Sequence, residues 1–542
     1  MGHFGLIPDQ ALKLPLLQLS QRFNSMQKPI QYNILWFLAF VKLMLHFLTN
    51  GQYGYDGDEL YYLAAGDRLA WGYTEFPPVV AIVAHVSRSL MGDSLFSIRF
   101  FPAIAGALLV VLTGLMAREL GGGRFAQYLA ALSVVIAPYF LVIHTILTVN
   151  SFEALIWTLC AYLILLSLKY RRPKLWLLVG VLMGIGLLNK FSMIFFAFGL
   201  VGGLWLTQRQ VFSKKWIWLG GMIAIALVMP TLIWQAQHGL PFLEHQQAAN
   251  LYSKKPFPDA IVALLVQSTL MMHPLAAPIW LAGLFFYLKS KDGKPYCLFG
   301  WIFVITYGLF LLLQGKSYYV GPLYPMLFAG GAIAIEQWVS GQRRLKTAIS
   351  GVLVVSSVAI MIPMTLPILP MESLLRFASF YSQDYFLPQR ANTVVATQEA
   401  PWQFRAMLGW EDTVAQVSRV YHQLPASQQA QTAILSWEYA DAGAIDFYGS
   451  RYGLPTGISG AHTFYFWGYE NYSGDQVISL GGDRTYLQQL FNQVEQVDTV
   501  THAQVIGLKS NIPIYLCKGI KVPFSQSWSN FKAYFGHPYA RD

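Results

Sequence analysis

The chain has 542 residues, 55% of them hydrophobic and only 12% charged, with a mean hydropathy of +0.42. Soluble chains carry about a quarter charged residues, and the apolar residues here come in blocks near the ~20 needed to cross a ~30 Å hydrocarbon core, which excludes a single soluble domain. The formal net charge of +10 does not point to nucleic acid, because Lys and Arg cluster in short links between the apolar blocks.

About thirty mostly polar residues precede the first apolar block, which lacks a small-residue cleavage site, so no signal peptide is expected. The pattern then predicts about eleven membrane spans, at 33–50, 96–117, 125–142, 151–168, 175–189, 192–207, 216–234, 260–288, 296–314, 318–336 and 348–368. The longest, 260–288, reads as tilted or partly interfacial. Lys13, Arg22 and Lys28 in the N-terminal tail share one side with alternate links carrying Arg118 and Arg124, Lys169 to Lys174, Arg209 to Lys215, Lys289 to Lys294, and Arg343 to Lys346. The positive-inside rule makes that side, and the N-terminus, cytoplasmic.

The opposite side receives the loop 51–95, the turns at 143–150, Lys190 and 315–317, the loop 235–259 and the tail from about 370. Loop 51–95 reads as two interfacial helices. The first, in "DELYYLAAGDRLAWG", starts at an N-cap Asp58 and ends at Gly72; the second, in "PPVVAIVAHVSRSLMG", has prolines in its first turn and Glu75 before them. The sequence therefore divides into a membrane module, 1–370, and a small extracytoplasmic α/β domain, 371–542. In the latter, "GWEDTVAQVSRVYHQLP" reads as an amphipathic helix. "TAILSW", "QVISLG" and "IPIYLCKGI" read as strands, and "RTYLQQLFNQVEQV" as a helix between the last two. Cys160, Cys297 and Cys517 imply no disulfide framework.

The candidate chemistry lies on the loop side. The first-loop acids are Asp56, Asp58, Glu59 and Glu75: either Asp58 and Glu75 cap helices, or the acids form a carboxylate site whose partial desolvation raises a pKa toward general-base duty. The Asp-Gly-Asp triplet is a weak match to the metal clamp of nucleotide-sugar transferases, with no Gly-rich phosphate cradle beside it. Arg99, Lys190 and Lys316 lie at span ends; each is a snorkelling side chain or, together, a grip for a lipid-linked phosphate. His144, His238, His245 and His273 show no metal-ligand spacing.

"YDGDELYYLAAGDRLAWGYTEFPPVVA" resembles the first outer loop of the bacterial dolichyl-phosphate-mannose–protein mannosyltransferase-like family (glycosyltransferase family 39), to which the lipid A aminoarabinose transferases are related. The resemblance continues through "IRFFPAIAG", "LTVNSFEALIWTL", "GIGLLNKFSM", "PTLIWQAQHGLPFLEHQ", "HPLAAPIWLAGL", "KSYYVGPLYPMLFAGGAIAIE" and, in the tail, "ADAGAIDFYGSRYGLPTGISGAHTFYFWGY". It implies a polytopic α-helical membrane protein with the C-type glycosyltransferase fold, set in a bacterial cytoplasmic membrane. A sugar would pass, with inversion, from a polyprenyl-phosphate donor to a lipid, protein or envelope-glycan acceptor on the non-cytoplasmic face. The family's Asp-Glu pair maps onto Asp58 and Glu59, and its second loop acid onto Glu75, which precedes Phe-Pro-Pro where His-Pro-Pro is usual. His273 and Asn189 depart from the Asn and Thr of many relatives.

A polyprenyl phosphate is already a good leaving group, so one base and a set of cations suffice. Asp58 is expected as the base, with Glu59 and Glu75 positioning the acceptor or holding a divalent metal ion. Arg99, Lys190 and Lys316 would bind the donor phosphate, and Tyr61, Tyr62, Tyr318 and Tyr319 would line the substrate. The alternative from another class is a transporter or flippase for an envelope precursor, which calls for midplane charges and repeated halves; neither is evident.

Overall fold

The computed structural model describes residues 29–253, 257–379, 401–501, 511–535 and 537–538. Lys13, Arg22 and Lys28 lie outside them. Among the described residues, seven helices are long and apolar enough to cross a membrane: Tyr32–Thr49, Leu95–Glu119, Asn150–Lys169, Lys215–Gln237, Lys294–Leu312, Ser317–Trp338 and Arg343–Thr365. The shorter apolar helices Arg124–Ile136, Leu175–Asn189 and Met193–Thr207 occupy three further expected spans. Large apolar side chains such as Phe37, Phe198, Trp218 and Val355 are exposed on these helices, as a lipid-facing surface requires.

Two expected spans are broken, each at a proline. Ala137 is extended before Pro138 and splits 124–142 into Arg124–Ile136 and Pro138–Val142. The long block 260–288 is a pair, Phe257–Met271 and Pro274–Lys289, bent by 92°. The break falls at His273, whose φ of +69° is rare for a residue with a side chain. His273 is fully buried, with Nε2 3.2 Å from Ser356 Oγ.

The Leu95–Glu119 helix, 25 residues and about 37 Å long, defines two ends of the bundle. At one end Glu119 meets Arg118, Lys169 and Tyr170, which joins two of the basic links. At the other, Arg99 meets loop 51–95. Lys190 bonds to Asn150 and Glu153 at the start of the helix that ends in Lys169, so Lys190 belongs to the Arg99 end.

Loop 51–95 folds into two helices, Gly57–Asp67 and Val79–Met91. The N-cap of the first is Asp56, not Asp58: Asp56 and Glu59 form a reciprocal capping box. This helix stops at Asp67 rather than Gly72, and Arg68 Nη1 reaches Asp446 of the tail at 2.9 Å.

Within the tail, β1 (Thr432–Ser436), β2 (Ile458–Ser459), β3 (Gln476–Leu480), β4 (Phe491–Val500) and β5 (Ile512–Ile520) form one sheet ordered β2-β1-β3-β5-β4. The β1 pairings with β2 and β3 are parallel; β3–β5 and β5–β4 are antiparallel. The helix expected over 484–497 ends at Leu490, because "FNQVEQVDTV" supplies the edge strand β4, in which Val494 pairs with Cys517 and Val500 with Ile512. An edge strand needs apolar contacts on one face only, so its sparse Val positions were open to a helical reading.

The sheet does not stand apart from the loop. Leu60, Leu63 and Ala84 share one buried core with Val414, Ile434, Ala442, Ile478 and Ile514. The Tyr439–Tyr448 helix approaches so closely that a Cβ on Gly443 would lie 2.9 Å from the Leu60 carbonyl carbon. The sheet is thereby fixed over the end of the bundle that holds the candidate residues.

Candidate active site

Asp58 and Glu59 are neighbours in sequence, and successive helix residues point about 100° apart. Glu59 turns inward and is fully buried. Its carboxylate takes Arg99 Nε at 2.9 Å and Nη2 at 2.7 Å, the Asp56 N–H at 2.8 Å and the Leu147 N–H at 2.9 Å. Arg99 spends its other contacts on the carbonyls of Asn50 and Gly54, both at 2.7 Å. These two expected site residues thus form a closed bidentate knot that ties the first loop to the bundle, and Arg99 faces Glu59 rather than an open site.

Asp58 turns the other way and is half-buried. Tyr439, at the start of the tail helix, donates its hydroxyl to Asp58 Oδ1 at 2.7 Å. Burial pushes the Asp58 carboxyl above the ordinary range; the Tyr439 bond pulls it back, the Glu75 charge pushes it up, and Lys316 and His462 pull it down, with the balance upward. Glu75 caps no helix: the Val79–Met91 helix has Pro78 at its N-cap position. Instead Glu75 Oε1 lies 3.1 Å from His462 Nδ1, and Oε2 3.2 Å from the Tyr61 hydroxyl. Burial alone would raise Glu75, but the imidazolium of His462 outweighs it and holds the acid below its usual range. His462, in turn, is disfavoured as a cation by burial yet raised by Glu75.

The loop 235–259 contributes a third wall. His245 lies beside His462 with ring centroids 5.1 Å apart and the rings tilted, and burial drives it down to about 3, so it is neutral. Its neighbour Glu244 pairs with Lys532 of the tail.

The cations divide. Lys190 Nζ binds Asn150 Oδ1 at 2.7 Å and Glu153 Oε2 at 2.9 Å and sits 4.4 Å from the Tyr319 ring centre and 5.4 Å from that of Tyr318. Lys316 is exposed, 6.0 Å from the Tyr318 ring centre, and its charge acts on both Asp58 and His245. Tyr62 is buried, and both Asp58 and Glu75 act on it along with Thr148 and Tyr318. Tyr318 and Tyr319 therefore belong with Lys190, Tyr61 with Glu75 and the tail, and Tyr62 within reach of Asp58, Glu75 and Tyr318. Among the described residues no group of three or more His, Cys, Asp or Glu is arranged to hold a metal ion.

Sequence reasoning missed Tyr439, His462, Thr463 and the Asn150–Glu153 pair. The last carried a readable signal, since a Glu inside an apolar span calls for a partner. The first three are brought in by the tertiary fold from nearly 400 residues away.

Residues 75–234 match the family model of dolichyl-phosphate-mannose-protein mannosyltransferase. No curated protein matches the chain by sequence. Among solved structures, ArnT from Cupriavidus metallidurans bound to undecaprenyl phosphate superposes with a TM-score of 0.58 at 15% identity, over 89% of this chain and 97% of that one. Its apo state gives 0.57 at 14% identity, with the same coverage of both chains. The Archaeoglobus fulgidus oligosaccharyltransferase tethered with an acceptor peptide gives 0.46 at 14%, over 78% and 63%. The chain is a multi-pass membrane protein with the C-type glycosyltransferase fold; its similarity to the dolichyl-phosphate-mannose-protein mannosyltransferase model is carried by residues 75–234, and its fold is that of ArnT over 89% of its length.

Proposed function

We propose that this protein is a glycosyltransferase that moves a sugar from a polyprenyl-phosphate donor to an acceptor hydroxyl, with inversion at the anomeric carbon. The observation that carries this reading is Asp58: a half-buried carboxylate with a raised pKa, held by Tyr439 and set at the bundle end that carries Lys190 and Lys316. A carboxylate whose pKa is raised holds a proton more readily than an ordinary one, as a general base must.

The acceptor oxygen attacks the anomeric carbon opposite the phosphate and passes its proton to Asp58. As the new C–O bond forms, the bond to the phosphate oxygen breaks, and its electron pair leaves with the polyprenyl phosphate. Lys316 and Lys190 stabilise the departing anion, Glu75 orients the acceptor, and Tyr61, Tyr62, Tyr318 and Tyr319 flank the sugar and the lipid. Glu59 and Arg99 are assigned to holding the loop. A protein of the same fold holding undecaprenyl phosphate supports a lipid-phosphate donor. The reading includes a bacterial inner-membrane location, the division at residue 370, a cytoplasmic N-terminus, and the site with its sheet domain on the far side.

The test is mass spectrometry of polyprenyl-phosphate lipids in cells lacking the protein and in cells carrying Asp58→Asn. One polyprenyl-phosphate sugar is expected to accumulate in both. If no such lipid changes in either while the protein is expressed, the transferase reading falls and transport of an envelope precursor takes its place.

A further inference from the structure

His462 is the point where the tail enters the acid cluster, and its setting is built at some expense. Its φ is +52°, a left-handed conformation unfavourable for a residue with a Cβ, and such backbone persists only where the surroundings over-determine it. Here they do. The next residue, Thr463, is held from both sides of the first loop: Tyr61 Oη lies 2.6 Å from Thr463 Oγ1 and accepts the Thr463 N–H at 3.0 Å, while the Thr74 N–H donates to Thr463 Oγ1 at 2.9 Å. The His462 N–H donates to the Ala533 carbonyl at 3.3 Å. The imidazole is 3% exposed and ringed by Tyr439, His245, Tyr534, Phe535 and Tyr61, with centroids 4.8 to 6.3 Å away. Nδ1 lies 3.1 Å from Glu75 Oε1 as an ion-pair contact, and neither buried ring nitrogen has a partner in hydrogen-bond geometry.

We propose that His462 is a positioning residue of the transferase site: through its ion pair with Glu75, the C-terminal domain supplies the positive charge that keeps the two loop acids, Asp58 and Glu75, ionised and apart. This rests on the reading of Asp58 as the base. Two neighbouring carboxylates resist joint ionisation, and the charges facing them are few. Glu75 and Asp58 come from the first loop, His245 from the second, Lys316 from the turn before Ser317, and Glu438, Tyr439 and Tyr534 from the tail. His245 is neutral and Lys316 is exposed. Among the described residues His462 is the cation in direct contact with Glu75, and its charge acts on both acids in the direction of ionisation.

Dicyclohexylcarbodiimide, which reacts with protonated carboxyls in apolar surroundings, reads this without knowledge of the substrate. Purified full-length protein would be labelled across a pH series and modification at Asp58 and Glu75 quantified by peptide mass spectrometry. His462→Asn keeps a donor near the Nδ1 position and removes the charge, so labelling of both acids should persist to higher pH. His462→Lys restores a charge and should bring the midpoint back toward wild type. In cells, consumption of the accumulating polyprenyl-phosphate sugar by His462→Asn should fall about tenfold at the acid end and recover as pH rises. Should His462→Asn not fold, His462→Gln is read by the same criteria.

An unchanged labelling midpoint in a folded, uncharged variant overturns the proposal and leaves His462 as a structural tie. If that occurs while Asp58→Asn still blocks consumption of the lipid, the base reading stands alone. If Asp58→Asn consumes the lipid normally, it is the base reading that has failed.

Discussion

Two adjacent acids meet opposite fates. Glu59 is sealed in a bidentate contact with Arg99, every lone pair directed at a donor; Asp58, one residue earlier, is half-open and has Tyr439 as its direct hydrogen-bond donor. A fully satisfied buried pair is a fixture, whereas a carboxylate with spare acceptor capacity and a shifted pKa can take a proton. On the proposed reading, the chemistry of this loop follows the incomplete partner set rather than the strongest ion pair.

Asp58→Asn presses hardest on that contrast. It should lower transfer by about 10² to 10⁴-fold while leaving thermal unfolding in detergent nearly unchanged, since Asn still accepts from Tyr439; parallel losses of fold and activity would erase the distinction between the two acids. Arg99→Met should do the reverse, costing about 3–5 kcal/mol because it strands a buried charge, visible as a lowered unfolding temperature or a failure to accumulate. Lys190 and Lys316 repeat the contrast among the cations. Lys190→Gln removes the ion-pair partner of Glu153, itself only 2% exposed, and should cost about 1–3 kcal/mol as well as weakening donor use. Lys316→Gln should leave stability within about 0.5 kcal/mol yet slow donor consumption, most at low pH, because removing its charge lets Asp58 rise further.

The smallest effect is expected at Asp446, which links the tail to Arg68. Burial pushes its carboxyl up to about 6 from 3.8, against the pull of Arg68. A raised folded value means the proton is held more tightly when folded, so this group's contribution is full below about pH 4 and lost as pH rises through 6. Asp446→Asn should remove that slope from a plot of unfolding temperature against pH, and an unaltered slope would assign it elsewhere.

Much of this architecture is legible in the sequence because membrane spans are long, apolar and punctuated by basic links. The loop acids are legible too, since Asp56, Asp58, Glu59 and Glu75 stand out in so apolar a chain. Their roles were harder to separate. "DGDE" contains the Asp-x-x-Glu spacing of a capping box, which assigns Asp56 as the cap and removes Asp58 from that duty; the bias toward Asp58 came from starting the helix two residues too late. Arg99 looked like a phosphate ligand because position along a span reveals depth but not facing. His462 carried no local signal at all, since nothing in "SGAHTFYFW" announces a partner at Glu75. Strand β4 was misread because one buried face of an edge strand leaves only a few apolar positions to find.

The contact between Tyr61 and Thr463 spans 402 residues of chain. At a synthesis rate of about 5–20 residues per second, roughly 20 to 80 seconds separate the emergence of the two. Throughout that interval the first loop can lie against the bilayer with Asp58, Tyr61 and Glu75 in place but without Tyr439, His462 or Thr463. The protein is thus built so that its acid cluster is completed last, and a nascent chain that has already threaded its membrane helices still awaits the closing segment before its carboxylates take up their final charges.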